Sequence, residues 1–360
     1  MSNVTPLRVA RRQALDAIWF TRCPVPTATG LAYQLGWLSA EFAPDGVSVE
    51  TLQESGRPEL RRHHYDHDLP SLIREGGNML SLGARAQGAP TKLIGLTWID
   101  ESQSILVRPD SGIFEPRALA GKRLALPSYI EHPIPEHLRG SSIARGMSLH
   151  GYKNVLAYAG LSFDDVDFVE TSAKRSGRED GVDDIWALGA LAAGEVDAVY
   201  VKGARALDAA RHHGVVVGID LDELPEKRFR VNNGTPRPIT VHQSLIDDHF
   251  DLLVRFLEQT LRAADWARDN LDAVRKVLQS ETRGSADAVA TAYRDGFHRA
   301  LHPNLEPERL ALFERQKTFL WLHGFLDHDF DLAAWVDPRP LVEARARIDD
   351  KEARASASRA

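Results

Sequence analysis

The chain has 360 residues, of which 43% are hydrophobic and 26% charged, with a formal net charge of −7. This is a globular composition in a chain too long for one ordinary core, so two domains are expected. The negative balance argues against nucleic acid as a partner, and no run approaches the roughly twenty apolar residues of a membrane span.

Residues 1 to 19 carry Arg8, Arg11, Arg12 and Asp16 without a continuous apolar core, which gives no secretory signal and leads us to expect a cytoplasmic protein. A single cysteine, Cys23, suits that reducing compartment. It lies in Phe20-Thr21-Arg22-Cys23-Pro24-Val25-Pro26, which reads as the loop after a first strand. Short β-branched runs then alternate with amphipathic stretches, the signature of an α/β protein. Strands are expected at Val47–Leu52, Lys92–Trp98, Ser104–Val107, Arg123–Leu126, Asp167–Glu170, Ala198–Val201 and Val215–Ile219. Leu69–Leu80, opening with Pro70, reads as helical, and Glu136–Ala159 reads as one long helix with glycine interruptions or as two turns of chain reversal. Asp251–Asn270 is the clearest helix, with Leu252, Phe256, Leu257, Thr260, Leu261 and Ala264 on one face. Asp180–Asp184 reads as a solvated loop, and residues 346–360 as a disordered tail.

Two prolines fix the backbone around Cys23, and Arg22 beside it favours thiolate. Further on come His63-His64-Tyr65-Asp66-His67-Asp68-Leu69-Pro70 and Arg74-Glu75-Gly76-Gly77. A thiol, a histidine cluster, an arginine and two unobstructed amides are the parts of a site that attacks an anionic substrate without a cofactor. Each part also has a plainer reading. A lone cysteine is commonly a small buried hydrophobe, the histidines are commonly solvated, and Glu75 reads as exposed. His63 and His67 at i, i+4 with Asp66 and Asp68 have metal-like spacing, but no H-E-x-x-H pattern follows, and no metal is expected. Lys122 and Arg123 read as strand flanks, while Trp98, Trp186 and Trp266 read as core before cleft.

Taken together, Cys-Pro-Val-Pro, a histidine, Asp-x-Pro and Arg-x-Gly-Gly resemble the 2'-hydroxybiphenyl-2-sulfinate desulfinase family. That family lies within the superfamily of sulfonate-, nitrate- and thiamine-precursor-binding proteins. The match places the essential cysteine on Cys23, the active-site histidine on His64, the sulfinate-binding arginine on Arg74 and the Gly-Gly pair on Gly76 and Gly77. More distant likeness in Ala118–Arg123, Ala192–Tyr200, Trp266–Asn270 and Leu312–Leu320 is shared with the wider superfamily and specifies fold. The implied fold is α/β, a two-domain periplasmic-binding-protein type II-like fold with the active site in the interdomain cleft. Its first domain would be residues 1–104 plus 237–345, with residues 105–236 inserted as the second.

The implied chemistry is hydrolysis of the C–S bond of an organic, aromatic sulfinate to release sulfite, with no metal or organic cofactor. Arg74 would hold two sulfinate oxygens through its planar fork, and the Gly76 and Gly77 amides would add donors. Cys23 would attack sulfur as thiolate or deliver the proton to carbon, with His64 setting its protonation. The partner would be a small-molecule anionic sulfur substrate, with no nucleic acid and no membrane, and a monomer is compatible with this reading. Where the family has a tryptophan-rich segment this chain has Val201-Lys202-Gly203-Ala204-Arg205, which points to a different substrate pocket, with Lys202 able to meet a second polar group. Two other readings share the fold. One is a non-catalytic solute-binding protein for a sulfonate or similar anion; the other is a relative of the thiamine-precursor synthases, in which a histidine is consumed.

Overall fold

A computed structural model describes residues 15–22, 25–130, 138–172 and 185–358. Two five-stranded sheets organise it. The first contains β1 (Ala17–Arg22), β2 (Ser48–Thr51), β3 (Leu72–Glu75), β4 (Thr91–Thr97) and β10 (Arg237–His242), in the order β2-β1-β3-β10-β4. The second contains β5 (Gln103–Val107), β6 (Arg123–Pro127), β7 (Asp167–Thr171), β8 (Ala198–Lys202) and β9 (Val216–Asp220), in the order β7-β6-β8-β5-β9. In each sheet four strands run in one direction, and the fifth, β10 or β5, enters antiparallel to both of its neighbours.

The seven strands listed from sequence appear within a residue or two of their expected ends. A division of the chain between 104 and 105 would cut β5, which begins at Gln103. Two strands escaped the sequence reading. β10 contains Pro238 and follows Pro236, residues that argue against an interior strand, yet it pairs on both edges and carries a register shift between Ile239 and Thr240. β3 lies inside the stretch expected to be a helix over Leu69–Leu80. All four of its residues are buried between β1 and β10, and the helix starts only after Gly76-Gly77, at Asn78–Ala86. Pairing on both edges overrides a local pattern that Pro70 made look like a helix start.

The helix expected over Asp251–Asn270 runs Phe250–Arg268 and buries Phe256, Leu257, Leu261 and Ala264 against the first sheet's core; Leu252 is only partly buried. Leu138–Ser141 and Ile143–Tyr158 account for the Glu136–Ala159 stretch, whose first two residues lie outside the described ones. The expected disordered tail is instead helical: Arg339–Ala357 is one helix, with Leu341 and Ala344 buried. Ala, Arg and Glu are good helix formers, and Lys351 with Glu258, and Arg347 with Asp251 at 2.7 Å, tie the helix to the Phe250–Arg268 helix. Trp98 and Trp186 are core residues as expected, while Trp266 is half-buried against Trp37. Arg123 flanks β6, where it pairs with Asp197 at 2.8 Å. The Asp180–Asp184 loop lies outside the described residues. No helix of the described residues is long and apolar enough to cross a membrane.

Candidate active site

β1 and β3 run parallel, with Thr21 beside Arg74 and Arg22 beside Glu75. Their carboxyl ends therefore share one edge, the position at which open α/β sheets characteristically receive ligands. β1 leads directly into Cys23 and Pro24, which lie outside the described residues. β3 leads through Gly76-Gly77 into the first turn of the Asn78–Ala86 helix.

Arg74 is almost fully buried, and its Nη2 donates to Gly77 O at 2.7 Å. That bond folds the guanidinium back over the Gly-Gly turn. The Gly76 N–H is engaged with Pro238 O at 3.4 Å, as part of the meeting between β3 and β10. Glu75, read as exposed from sequence, is fully buried, because it points into the sheet junction between β3, β4 and β10. There Thr97 Oγ1 donates to it at 3.4 Å, and burial raises its pKa against the opposing pull of Thr29 and Arg237.

The histidine cluster divides its labour. A 3-10 turn at Pro58–Arg62 runs into the short helix His63–Asp66. His63 Nδ1 pairs with Asp66 at 2.9 Å, and His67 Nε2 donates to His64 O at 3.1 Å from a left-handed backbone at φ 54. His63 and His67 thus hold the turn in shape, and no metal-binding group of three or more His, Cys, Asp and Glu occurs among the described residues. His64 faces the first strand, with its Nδ1 2.7 Å from Thr21 Oγ1. Gln53 Nε2 donates to the same Thr21 oxygen at 2.9 Å. A hydroxyl oxygen has two acceptor lone pairs, so Thr21 serves either neutral tautomer of His64, donating to a bare Nδ1 or accepting from an Nδ1–H.

Burial, reinforced by the nearby Arg74 charge, pushes His64 down to about 4. The ring is therefore neutral near pH 7, with one nitrogen a donor and the other an acceptor. A hollow of about 160 Å³ opens beside it, walled by Leu52, Gln53, Arg61 and Tyr65. A larger cavity, about 750 Å³ between Leu310 and Val336, contains none of these residues.

On the other side of the turn, Met79 N–H donates to Asn233 Oδ1 at 3.0 Å, and a Cβ added at Gly77 would fall 2.5 Å from that oxygen. Gly77→Ala must push the Asn233 side chain away. We expect it to lose roughly 1–3 kcal/mol of stability, read as a lower midpoint in chemical denaturation. Lys202, read from sequence as a possible contact for a second substrate group, has a side chain only 6% exposed. Its Nζ donates to Asn233 O at 3.0 Å and lies 3.8 Å from Glu101, so its charge is already faced by a carboxylate.

The structure thus brings His64, Arg74 and Gly77 to one sheet edge. Thr21, Gln53 and Asn233 stand with them and were not singled out from sequence. Thr21 carried one signal, its place two residues before Cys23. Asn233 carried another, the Asn233-Gly234 turn dipeptide.

The model of the NMT1/THI5-like family matches residues 32–274. The chain belongs to that family. Among curated relatives, the 2'-hydroxybiphenyl-2-sulfinate desulfinase of Rhodococcus erythropolis is 29% identical over 356 residues, covering 91% of this chain and 93% of the relative. The same enzyme from Rhodococcus qingshengii matches with the same figures. The crystal structure of the desulfurization enzyme DszB is similar at 27% identity and a TM-score of 0.69, over 92% of this chain and 99% of DszB. DszB solved as a cysteine-to-serine mutant with biphenyl-2-sulfinic acid is similar at 26% identity and a TM-score of 0.69, over 93% and 100% of the two chains. The periplasmic aliphatic sulphonate binding protein SsuA from Escherichia coli, at 17% identity and a TM-score of 0.64 over 90% of this chain and 92% of its own, shares the fold.

The resemblance to the desulfinases read from the N-terminal motifs is borne out, and this NMT1/THI5-like chain has the α/β fold of the periplasmic binding proteins.

Proposed function

We propose that the protein is a desulfinase that hydrolyses the C–S bond of an organic, aromatic sulfinate and releases sulfite. The observation that carries this reading is the meeting of His64, held by Thr21 at 2.7 Å, with buried Arg74, which lies on β3 beside Thr21 near the end of β1, the strand that leads into Cys23. The full-length likeness to the desulfinases supports it.

Arg74 holds the sulfinate oxygens as a fixed cation, and the Gly77 turn lets the anion approach the backbone closely. Neutral His64 is the group assigned to set the protonation of the Cys23 thiol, without forming an ion pair. In one route the Cys23 thiolate attacks sulfur and the C–S bond breaks. Carbon leaves with a proton as the arene, and water then cleaves the cysteine–SO2 adduct to bisulfite and thiol. In the other route the Cys23 thiol protonates carbon, SO2 departs, and water converts it to bisulfite while the thiolate recovers the released proton. Both routes balance without a redox partner.

The segment from β9 to β10 borders the proposed site, because Asn233 accepts from Met79 N–H beside Gly77. The reading needs no second subunit, since all its parts come from one chain. A reducing cytoplasm is the compartment that keeps Cys23 usable.

A screen of aryl and alkyl sulfinates with sulfite detection tests the function. Sulfite should appear with aryl sulfinates; tight binding without sulfite would instead favour an anion-binding protein.

The His64 pKa gives a separate test. In an NMR titration the His64 ring protons should move near pH 4, well below the ordinary 6.5, and Thr21→Val should shift the Nδ1 resonance by removing its hydroxyl partner. The folded protein resists a proton that the unfolded chain accepts. His64 therefore contributes stability above pH 6.5 that is lost as the pH falls toward 4. A midpoint near 6.5 would mean that burial and the Arg74 charge do not act on the ring.

A further inference from the structure

Asn233 reaches the anion site from the segment that joins the two sheets. Its backbone is held on both sides: its N–H donates to Asn232 Oδ1 at 2.7 Å, and its carbonyl accepts from Lys202 Nζ at 3.0 Å. Asn232 is anchored in turn, donating from Nδ2 to Met147 O and Tyr200 OH, both at 3.0 Å. Asn78, the first residue of the helix after Gly77, donates to Asn232 O at 2.8 Å and Pro236 O at 2.9 Å. The loop is therefore stitched to the first turn of that helix, and the Asn233 side chain has a defined place.

That side chain has one end committed and one end poorly matched. A backbone N–H needs an acceptor, so the atom facing Met79 N at 3.0 Å is the oxygen. This fixes Nδ2 as the remaining end of the carboxamide. Its hydrogen-bond contact is Met147 Sδ at 3.8 Å, and a thioether is a weak acceptor. The carboxamide packs over Gly77, whose added Cβ would sit 2.6 Å from Nδ2, and Gly77 O is the atom that holds Arg74. An amide donor with a weak partner thus stands over the turn whose carbonyl holds the cation proposed to bind the sulfinate.

We propose that Asn233 is a further substrate-binding residue, whose Nδ2–H donates to an oxygen of the sulfinate held by Arg74. The assignment rests on the desulfinase reading. It also gives the inserted part of the chain a direct grip on substrate: Asn233 is fastened to Lys202 at the end of β8, whereas Arg74 belongs to β3. Ligand binding would then draw on both sheets at once.

Asn233→Asp separates this role from that of a helix cap. Aspartate keeps the size of the side chain and the acceptor for Met79 N–H, and its charge favours a helix N-terminus. It replaces the donor with a negatively charged oxygen facing an anion. Thermal stability should therefore hold or rise, while affinity for benzenesulfinate, measured by calorimetry in a Cys23→Ser background, should fall about a hundredfold or more. Asn233→Ala should lose about tenfold and serves if the aspartate variant folds poorly. In the Cys23-containing enzyme, Asn233→Ala should raise KM more than it lowers kcat.

Unchanged benzenesulfinate affinity in Asn233→Asp, with Arg74→Ala losing it, overturns the assignment and leaves the desulfinase reading in place. A wild-type protein that neither binds aryl sulfinates nor releases sulfite overturns both.

Discussion

Cys23→Ser should abolish sulfite release while leaving the fold and sulfinate binding close to those of the parent. A serine hydroxyl is nearly the size of a thiol but far less ionised and less nucleophilic near neutral pH, so chemistry suffers where packing does not. It is also a poorer proton donor to carbon, so both routes to sulfite lose their active group. The loss should be at least about a thousandfold in kcat, the scale seen when a covalent or proton-transferring group is removed. Coupled sulfite detection gives the rate, and calorimetry with benzenesulfinate gives the binding. A Cys23→Ser protein that keeps most of its turnover would remove Cys23 from the chemistry.

Arg74→Lys is the second large effect, because the substitution keeps net charge and changes only its geometry. Lysine offers a mobile point charge in place of a rigid fork, and its ammonium cannot both hold Gly77 O and present two parallel donors to an anion. Losing one charge-assisted hydrogen bond costs about 1.5 to 3 kcal/mol, which raises the dissociation constant roughly tenfold to a hundredfold. Arg74→Ala should lose more, since it also empties a buried position. A second consequence concerns His64. The Arg74 charge is one of the two causes holding the imidazole neutral, so in Arg74→Ala the His64 pKa should rise from about 4 toward its ordinary value. Sulfinate affinity unchanged in both variants would leave the anion clamp without its main support.

The sequence made the composition of the site readable but not its wiring. His64 and Arg74 were singled out by resemblance, since a histidine in a polar run and an arginine before two glycines have no distinctive periodicity. Their proximity depends on β3, which the local pattern disguised as helix and which only pairing with β1 and β10 makes a strand. Thr21 and Gln53 could not be assigned to His64 from sequence, because 43 and 11 residues of chain, respectively, separate each from it and the connection exists only once β1 and the following turns are folded. Glu75 was misread for a related reason: charge predicts exposure until a sheet junction closes around it. The strands of the second sheet were legible because β-branched runs bounded by turns need no distant partner to be recognised. The C-terminal helix was not. A polar, alanine-rich segment looks the same whether it is free or fastened by ion pairs to a distant helix.

The position of β10 bears on how the chain is made. In the first sheet β3 and β4 are not neighbours; the slot between them is filled by residues 237–242, synthesised after every strand of the second sheet. While the ribosome is producing residues up to that point, β3 and β4 each have an edge awaiting the same late strand, and unpaired edges invite pairing with other chains. All five strands of the second sheet, by contrast, lie between residues 103 and 220 and can assemble first. Arg74 and Gly76 border β10 directly, through Thr240 opposite Arg74 and Pro238 O opposite the Gly76 N–H. The anion-binding edge therefore takes shape only after the strands of the second sheet have been made, and a nascent chain cannot engage sulfinate until about two thirds of its length, through β10, has left the ribosome.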